Sequence, residues 1–136
     1  MALLDDIAIA LQTAGVGTIS TNIFKSSKAI IPTGDGPYLS LRETGGMTPA
    51  RTQNETGTER PTAQLLAIAK NYVAARTMLA AAFTALGGVN GLHNVTLSGT
   101  FYLSIVPRQS ITDLGLEEGT ARSRCVFNIE VEKQPS

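Results

Sequence analysis

The chain has no tryptophan, one cysteine, one histidine and few aromatic side chains, 5% of its 136 residues. A single thiol, Cys125, excludes an intramolecular disulfide and any cysteine-based zinc site. The scarcity of aromatics argues against the stacking platforms that hold single-stranded nucleic acid. Charge is sparse and balanced, with 11 Lys and Arg against 11 Asp and Glu. That excludes the global basic field that drives non-specific nucleic-acid binding. It leaves much uncharged surface, which suits self-association better than life as a dilute monomer. No run of 18 apolar residues exists, so no membrane-spanning helix is expected. The opening MALLDDIAIALQTAG carries Asp5 and Asp6 without a basic stretch and does not read as a signal peptide.

What is present is a globular composition, 43% hydrophobic, at a length that suits one domain over residues 1–136. A chain of this size buries roughly two-thirds of its unfolded surface, enough for one core without staples. Leu4, Ile7, Ala8, Leu11 and Ala14 follow the spacing of one helical face, which predicts a helix over Ala2–Ala14 stopped by Gly15 and Gly17. Asp5 and Asp6 fall in its first turn, where the helix dipole favours anions. Short strands are expected at Thr18–Phe24 and Tyr38–Arg42.

Thr44–Arg60 is unusual. It holds five threonines and one large apolar side chain, Met47, so it has little to bury. A compact domain rarely keeps such a segment unless it is disordered or used for binding. Thr62–Leu86 reads either as one alanine-rich helix or as a strand followed by a helix that Asn71 caps and Gly87-Gly88 ends. Val95–Pro107 reads as one strand with a bulge at Gly99, placing Phe101, Leu103 and Ile105 on one face. Thr112–Gly119 reads as a polar turn. The last strand alternates most clearly, with Cys125, Phe127, Ile129 and Val131 facing in; Val126 breaks the outer pattern and implies a covering neighbour.

Chemistry finds few carriers. His93 would need a nucleophile or an orienting carboxylate beside it, and nothing selects Ser110 or Asp113 for that part. Asp5-Asp6 and Glu117-Glu118 are adjacent pairs, which do not share a helix face, and read as solvated charge. Gly34-Asp35-Gly36 and Gly87-Gly88-Val89-Asn90-Gly91 lack the strand-to-helix context of a phosphate cradle. Arg51, Arg60, Arg108, Arg122 and Arg124 read as a scattered solvated set. No catalytic residues, cofactor or metal are expected, and a binding or assembly role is left.

Four segments carry a family resemblance. They are Leu3-Leu4-Asp5-Asp6-Ile7-Ala8 with its helix end; Leu41-Arg42-Glu43-Thr44-Gly45-Gly46 leading into the Pro49 and Arg51 stretch; Arg60-Pro61-Thr62-Ala63-Gln64-Leu65 leading through Lys70-Asn71-Tyr72; and Leu92-His93-Asn94-Val95-Thr96-Leu97 with the final alternating strand to Lys133. In order and spacing the chain resembles the tail terminator proteins of long-tailed bacteriophages, also called minor capsid or tail completion proteins. The segment after Pro61-Thr62-Ala63-Gln64 departs from that pattern, reading Leu65-Leu66-Ala67-Ile68-Ala69 where β-branched residues are usual.

The resemblance implies an α+β fold, a mixed, mostly antiparallel sheet with two helices on one face, and a strand at Thr62–Ala69 before a helix at Asn71–Leu86. It implies a ring, commonly of six subunits, that caps the tail tube, ends its growth and presents the surface joining the head. The partners would be other copies of the chain, the tail tube protein and a head connector or stopper protein. Genome DNA would pass through the lumen without sequence-specific binding. The place would be the tail neck of the virion, assembled in the host cytoplasm, with no membrane contact. Thr44–Arg60 is the expected flexible arm, and Glu43, Thr44, Gly45, Gly46, Met47, Pro49, Arg51 and Arg60 are the expected protein-interaction residues. A head-closure or connector protein of similar size is the alternative, and a small ligand-binding or enzymatic α+β domain a more distant one.

Overall fold

The computed structural model describes residues 3–25, 34, 36–50, 58–116 and 121–133. Helix α1 spans Leu3–Thr13 and buries Leu3, Leu4, Ile7, Ala8 and Leu11. It ends as the glycines require. Gly15 is left-handed at φ 83°. Its N–H bonds to Gln12, and that of Val16 reaches back to Leu11, which satisfies the last carbonyls.

Seven strands follow in one sheet, ordered β1-β2-β3-β7-β5-β4, with β6 also paired to β7. Strand β1 is short, Ile23–Lys25, and runs parallel to β2, Tyr38–Ala50. The other pairs are antiparallel: β2 with β3, Thr58–Ala69; β3 and β5, Thr100–Pro107, with β7, Ser123–Lys133; β4, Leu92–Leu97, with β5; and β6, Thr112–Leu116, with β7. Two helices and this mostly antiparallel sheet make the α+β fold expected from the sequence.

The segment Thr62–Leu86 resolves into strand and helix. Helix α2 spans Tyr72–Ala85, and the Asn71 side chain accepts the Ala74 N–H at 2.9 Å, a working N-cap. Gly87, at φ 93°, then turns the chain; a Cβ there would meet the Gly91 carbonyl oxygen at 2.2 Å, so only glycine fits.

The inner sheet face carries Leu39, Leu41, Leu65, Ala67, Phe127 and Ile129, all buried in one core with the helices. Phe83 of α2 meets Phe127 edge-on, with ring centroids 5.2 Å apart. Helix α2 packs on β3 and β7, whereas α1 reaches β1, β2 and β4. Because β1 and β4 end the strand order, the twisted sheet curls about α1. Cys125, Phe127, Ile129 and Val131 all face in, and Val126 on the outer face is buried too.

Four expectations need correction. The strand foreseen at Thr18–Phe24 shrinks to β1, because the N–H groups of Thr21, Asn22 and Ile23 all turn back to the Thr18 carbonyl. Strand β2 does not end at Arg42 but runs on to Ala50. Val95–Pro107 is not one bulged strand: Ser98 at φ 49° and Gly99 at φ 86° make a tight turn between β4 and β5. The bulge lies further on, between Tyr102 and Ser104. It shifts the phase of β5, so Tyr102 and Ile105 are the buried pair rather than Phe101 and Leu103. Finally, Thr112–Leu116 is a strand, not a turn: β5 and β6 run one after the other along the same edge of β7.

Candidate functional site

The expected interaction residues lie on the hairpin of β2 and β3. Glu43 and Thr44 are exposed, and Gly45, Gly46, Met47 and Pro49 continue β2 as strand. Gly46 pairs with Pro61, Met47 with Arg60 and Ala50 with Thr58, with register shifts after Glu43 and after Met47. Arg51 lies outside the described residues, as does all of 51–57. The strands persist here because ladder hydrogen bonds come from the backbone and need no apolar side chains.

The base of this hairpin is fixed at two points. The hydroxyls of Thr44 and Thr62 share a hydrogen bond of 2.7 Å. Lys133, buried at the end of β7, pairs with Glu59 at 3.0 Å. The register also sets Glu59 opposite Lys133, so β7 ends beside the hairpin at that level. The strand segments Gly45–Ala50 and Thr58 therefore extend past it.

The residues tested for chemistry do not assemble a site. The exposed His93 sits on β4, its Nε2 2.7 Å from the Asn90 carbonyl oxygen. Asp113 lies on β6, where it accepts the Gly115 N–H at 2.8 Å. Cys125 is buried; that burial pushes its thiol up, Asp113 adds to the rise and Arg76 opposes it. Such a thiol is poorly nucleophilic. Among the described residues no group of three side chains is placed to hold a metal ion. No described helix is long and apolar enough to cross a membrane.

Three of the five arginines singled out are engaged within the fold. Arg108 Nε pairs with Glu130 at 3.3 Å. Arg122, buried, donates to the Gly34 carbonyl, and Arg124 donates to the Leu116 carbonyl. They do not form a phosphate-binding stripe.

Sequence reasoning misplaced one acidic pair. Asp5 and Asp6 are not simply solvated. Asp5 pairs with Lys25 of β1 at 2.6 Å, and Asp6, 5% exposed, accepts a hydrogen bond from the Tyr102 hydroxyl on β5. The available signal was position: Asp6 follows Leu3 by three residues, on the flank of the apolar stripe. Burial, then the Asp6 hydrogen bond and charge, push the Tyr102 hydroxyl well above the ordinary tyrosine range.

Two concave surfaces flank α1. A groove of about 330 Å³ lies between α1 and the β4–β5 turn, lined by Ile9, Ala10, Thr13, Ala14 and Leu97 among others. A second, of about 510 Å³, lies where the ends of α1 and α2 meet, lined by Ala14, Val16, Ala81 and Ala85 among others. Neither brings together acid, base and nucleophile.

No family model matches the sequence, and no curated protein matches it. Among solved structures of similar fold is a chain from the virion of a native gene transfer agent particle. It is 16% identical, with a TM-score of 0.71, and the match covers 98% of this chain and 96% of that one. At that identity the likeness concerns the fold, which both chains share from end to end.

Proposed function

We propose that the chain is a structural virion protein, a tail terminator whose copies form a ring on the end of a phage tail tube. The observation that carries this reading is the end-to-end fold likeness to a virion chain, 98% of one and 96% of the other.

The ring works by geometry. A heterologous contact whose rotation closes yields a ring rather than a filament. A tail tube exposes the same docking surface on each new layer. A terminal layer that binds this surface without reproducing it ends growth. Its far side then joins the head through a connector or stopper protein, and the DNA passes through the lumen. The β2–β3 hairpin is the arm that reaches a neighbour, with Glu43, Thr44, Gly45, Gly46, Met47, Pro49, Arg51 and Arg60 as its contact residues. Its fixed base at Glu59–Lys133 gives the arm a set direction.

Electron microscopy of particles assembled without this protein tests the reading. Over-long tail tubes are the expected result. Tails of normal length beside filled heads that leak their DNA would instead assign the chain to head closure.

A further inference from the structure

Strand β3 meets β7 unevenly at the foot of the arm. Thr62 lies opposite Glu130 and Glu59 opposite Lys133, yet Arg60 and Pro61 between them have no ladder partner on β7. Pro61 has no N–H to offer a neighbouring strand. On its other side the same stretch faces an irregular β2. The register with β3 shifts between Glu43 and Gly46, and again between Met47 and Ala50. Such bulges bend a strand and interrupt its ladder. The sheet is therefore thinnest across the line from the Glu43–Gly46 bulge to Pro61. Beyond that line Met47 pairs with Arg60 and Ala50 with Thr58, so the arm keeps a ladder of its own. Glu59 then returns it to the sheet. Its carboxylate meets the Lys133 ammonium at 3.0 Å, and the two side chains are 47% and 5% exposed.

We infer that the β2–β3 arm is a hinged strap, which bends across Pro61 and the Glu43–Gly46 bulge and is latched to the end of β7 by the Glu59–Lys133 ion pair. The latch belongs to one copy of the chain and stands whether or not copies form a ring. Its two halves are unequal. Lys133 is held in the fold, on a strand that at this point pairs with both Glu59 of β3 and Tyr102 of β5. Glu59 rides on the arm and is half-exposed, so water can take up its charge when the pair opens. Opening leaves the Met47–Arg60 and Ala50–Thr58 pairs untouched, and the arm moves as one body. The hydroxyls of Thr44 and Thr62, 2.7 Å apart, join β2 to β3 at the bend itself, so the two strands turn together.

The test is backbone amide exchange on the full chain. Lys133→Met and Glu59→Gln should each speed exchange in the arm, Met47–Ala50 and Thr58–Arg60, by about twofold to fivefold, the worth of a half-exposed ion pair. Exchange in the core segments Leu65–Ala69 and Cys125–Ile129 should not change. Equal acceleration of arm and core would make the pair an ordinary stability contact and overturn the latch, as would unchanged exchange in both. Locking the pair should act with the opposite sign. Glu59→Cys/Lys133→Cys sets two thiols at facing positions of paired strands, within reach of a disulfide; the native Cys125 is buried and lies toward the other end of β7. With the bond formed, the arm should exchange more slowly than in the unmodified protein, and with the bond reduced, faster. Equal rates in the two forms would overturn the latch, and so would failure of the thiols to join, which would place Glu59 and Lys133 apart in solution. A difference that vanishes on dilution would belong to contacts between copies and would overturn it as well.

Discussion

Asp6 and Tyr102, 96 residues apart in sequence, share a buried hydrogen bond of 2.5 Å that ties the first helix to strand β5. Its neighbour Asp5 holds Lys25 on β1. Two consecutive carboxylates thus fasten α1 to strands far apart in the sheet order. Removing the Tyr102 hydroxyl leaves a buried carboxylate without its donor, so Tyr102→Phe should cost about 1–3 kcal/mol in urea unfolding. The double variant Asp6→Leu/Tyr102→Phe should cost less than the sum of the two single changes, because each single change orphans a partner. Additive costs would show that the bond carries no coupling.

Alkaline stability should follow from the same pair. The folded-state value of Tyr102 is raised above its unfolded value of 10.0. Its contribution is therefore fully present below pH 10 and lost as the pH rises beyond it. Melting temperatures of the unmodified protein should fall more steeply above pH 10 than those of Tyr102→Phe. Parallel curves would remove Tyr102 from the explanation.

The Cys125 thiol, buried and pushed up, should resist alkylation in the folded protein at neutral pH and react only through opening of the sheet. Its labelling rate should climb with urea in step with the fraction unfolded. Rapid labelling without denaturant would place the thiol at the surface.

Replacing the helix cap, Asn71→Ala, should destabilise the fold by about 1 kcal/mol, since the Ala74 N–H loses its acceptor. Asn71→Asp should retain most of that stability. Thermal melts of the three proteins decide it.

Deleting Met47–Thr58 leaves Glu59 and its Lys133 partner in place. The shortened protein should keep its circular dichroism spectrum and lose ring formation or tube binding. Tails of normal length made with it would refute the arm.

Much of the fold was legible because local and tertiary preferences agree. Leu4, Ile7 and Leu11 mark α1, and the alternation from Cys125 to Val131 marks β7, since burial on one face imposes its period directly. Misreadings arose where backbone conformation, not side-chain pattern, decides. Ser98 takes a left-handed turn that its side chain does not advertise. The bulge after Tyr102 moves every later side chain of β5 to the other face, and no composition signal records it. Thr112–Leu116 is exposed throughout, so it lacks the apolar alternation by which strands are read; its pairing comes from β7. The candidate site was legible as an oddity of composition at Thr44–Arg60, rich in threonine and poor in large apolar side chains.

Strand β7 is flanked by β3 on one side and by β5 and β6 on the other, yet it follows all of them in the chain. While the polypeptide is being made, the two halves of the sheet have nothing to join them until this segment leaves the ribosome. Synthesis must therefore have passed β7 before the core can close, and a message cut short before Ser123 yields a product with an open seam, fit for proteolysis rather than for assembly.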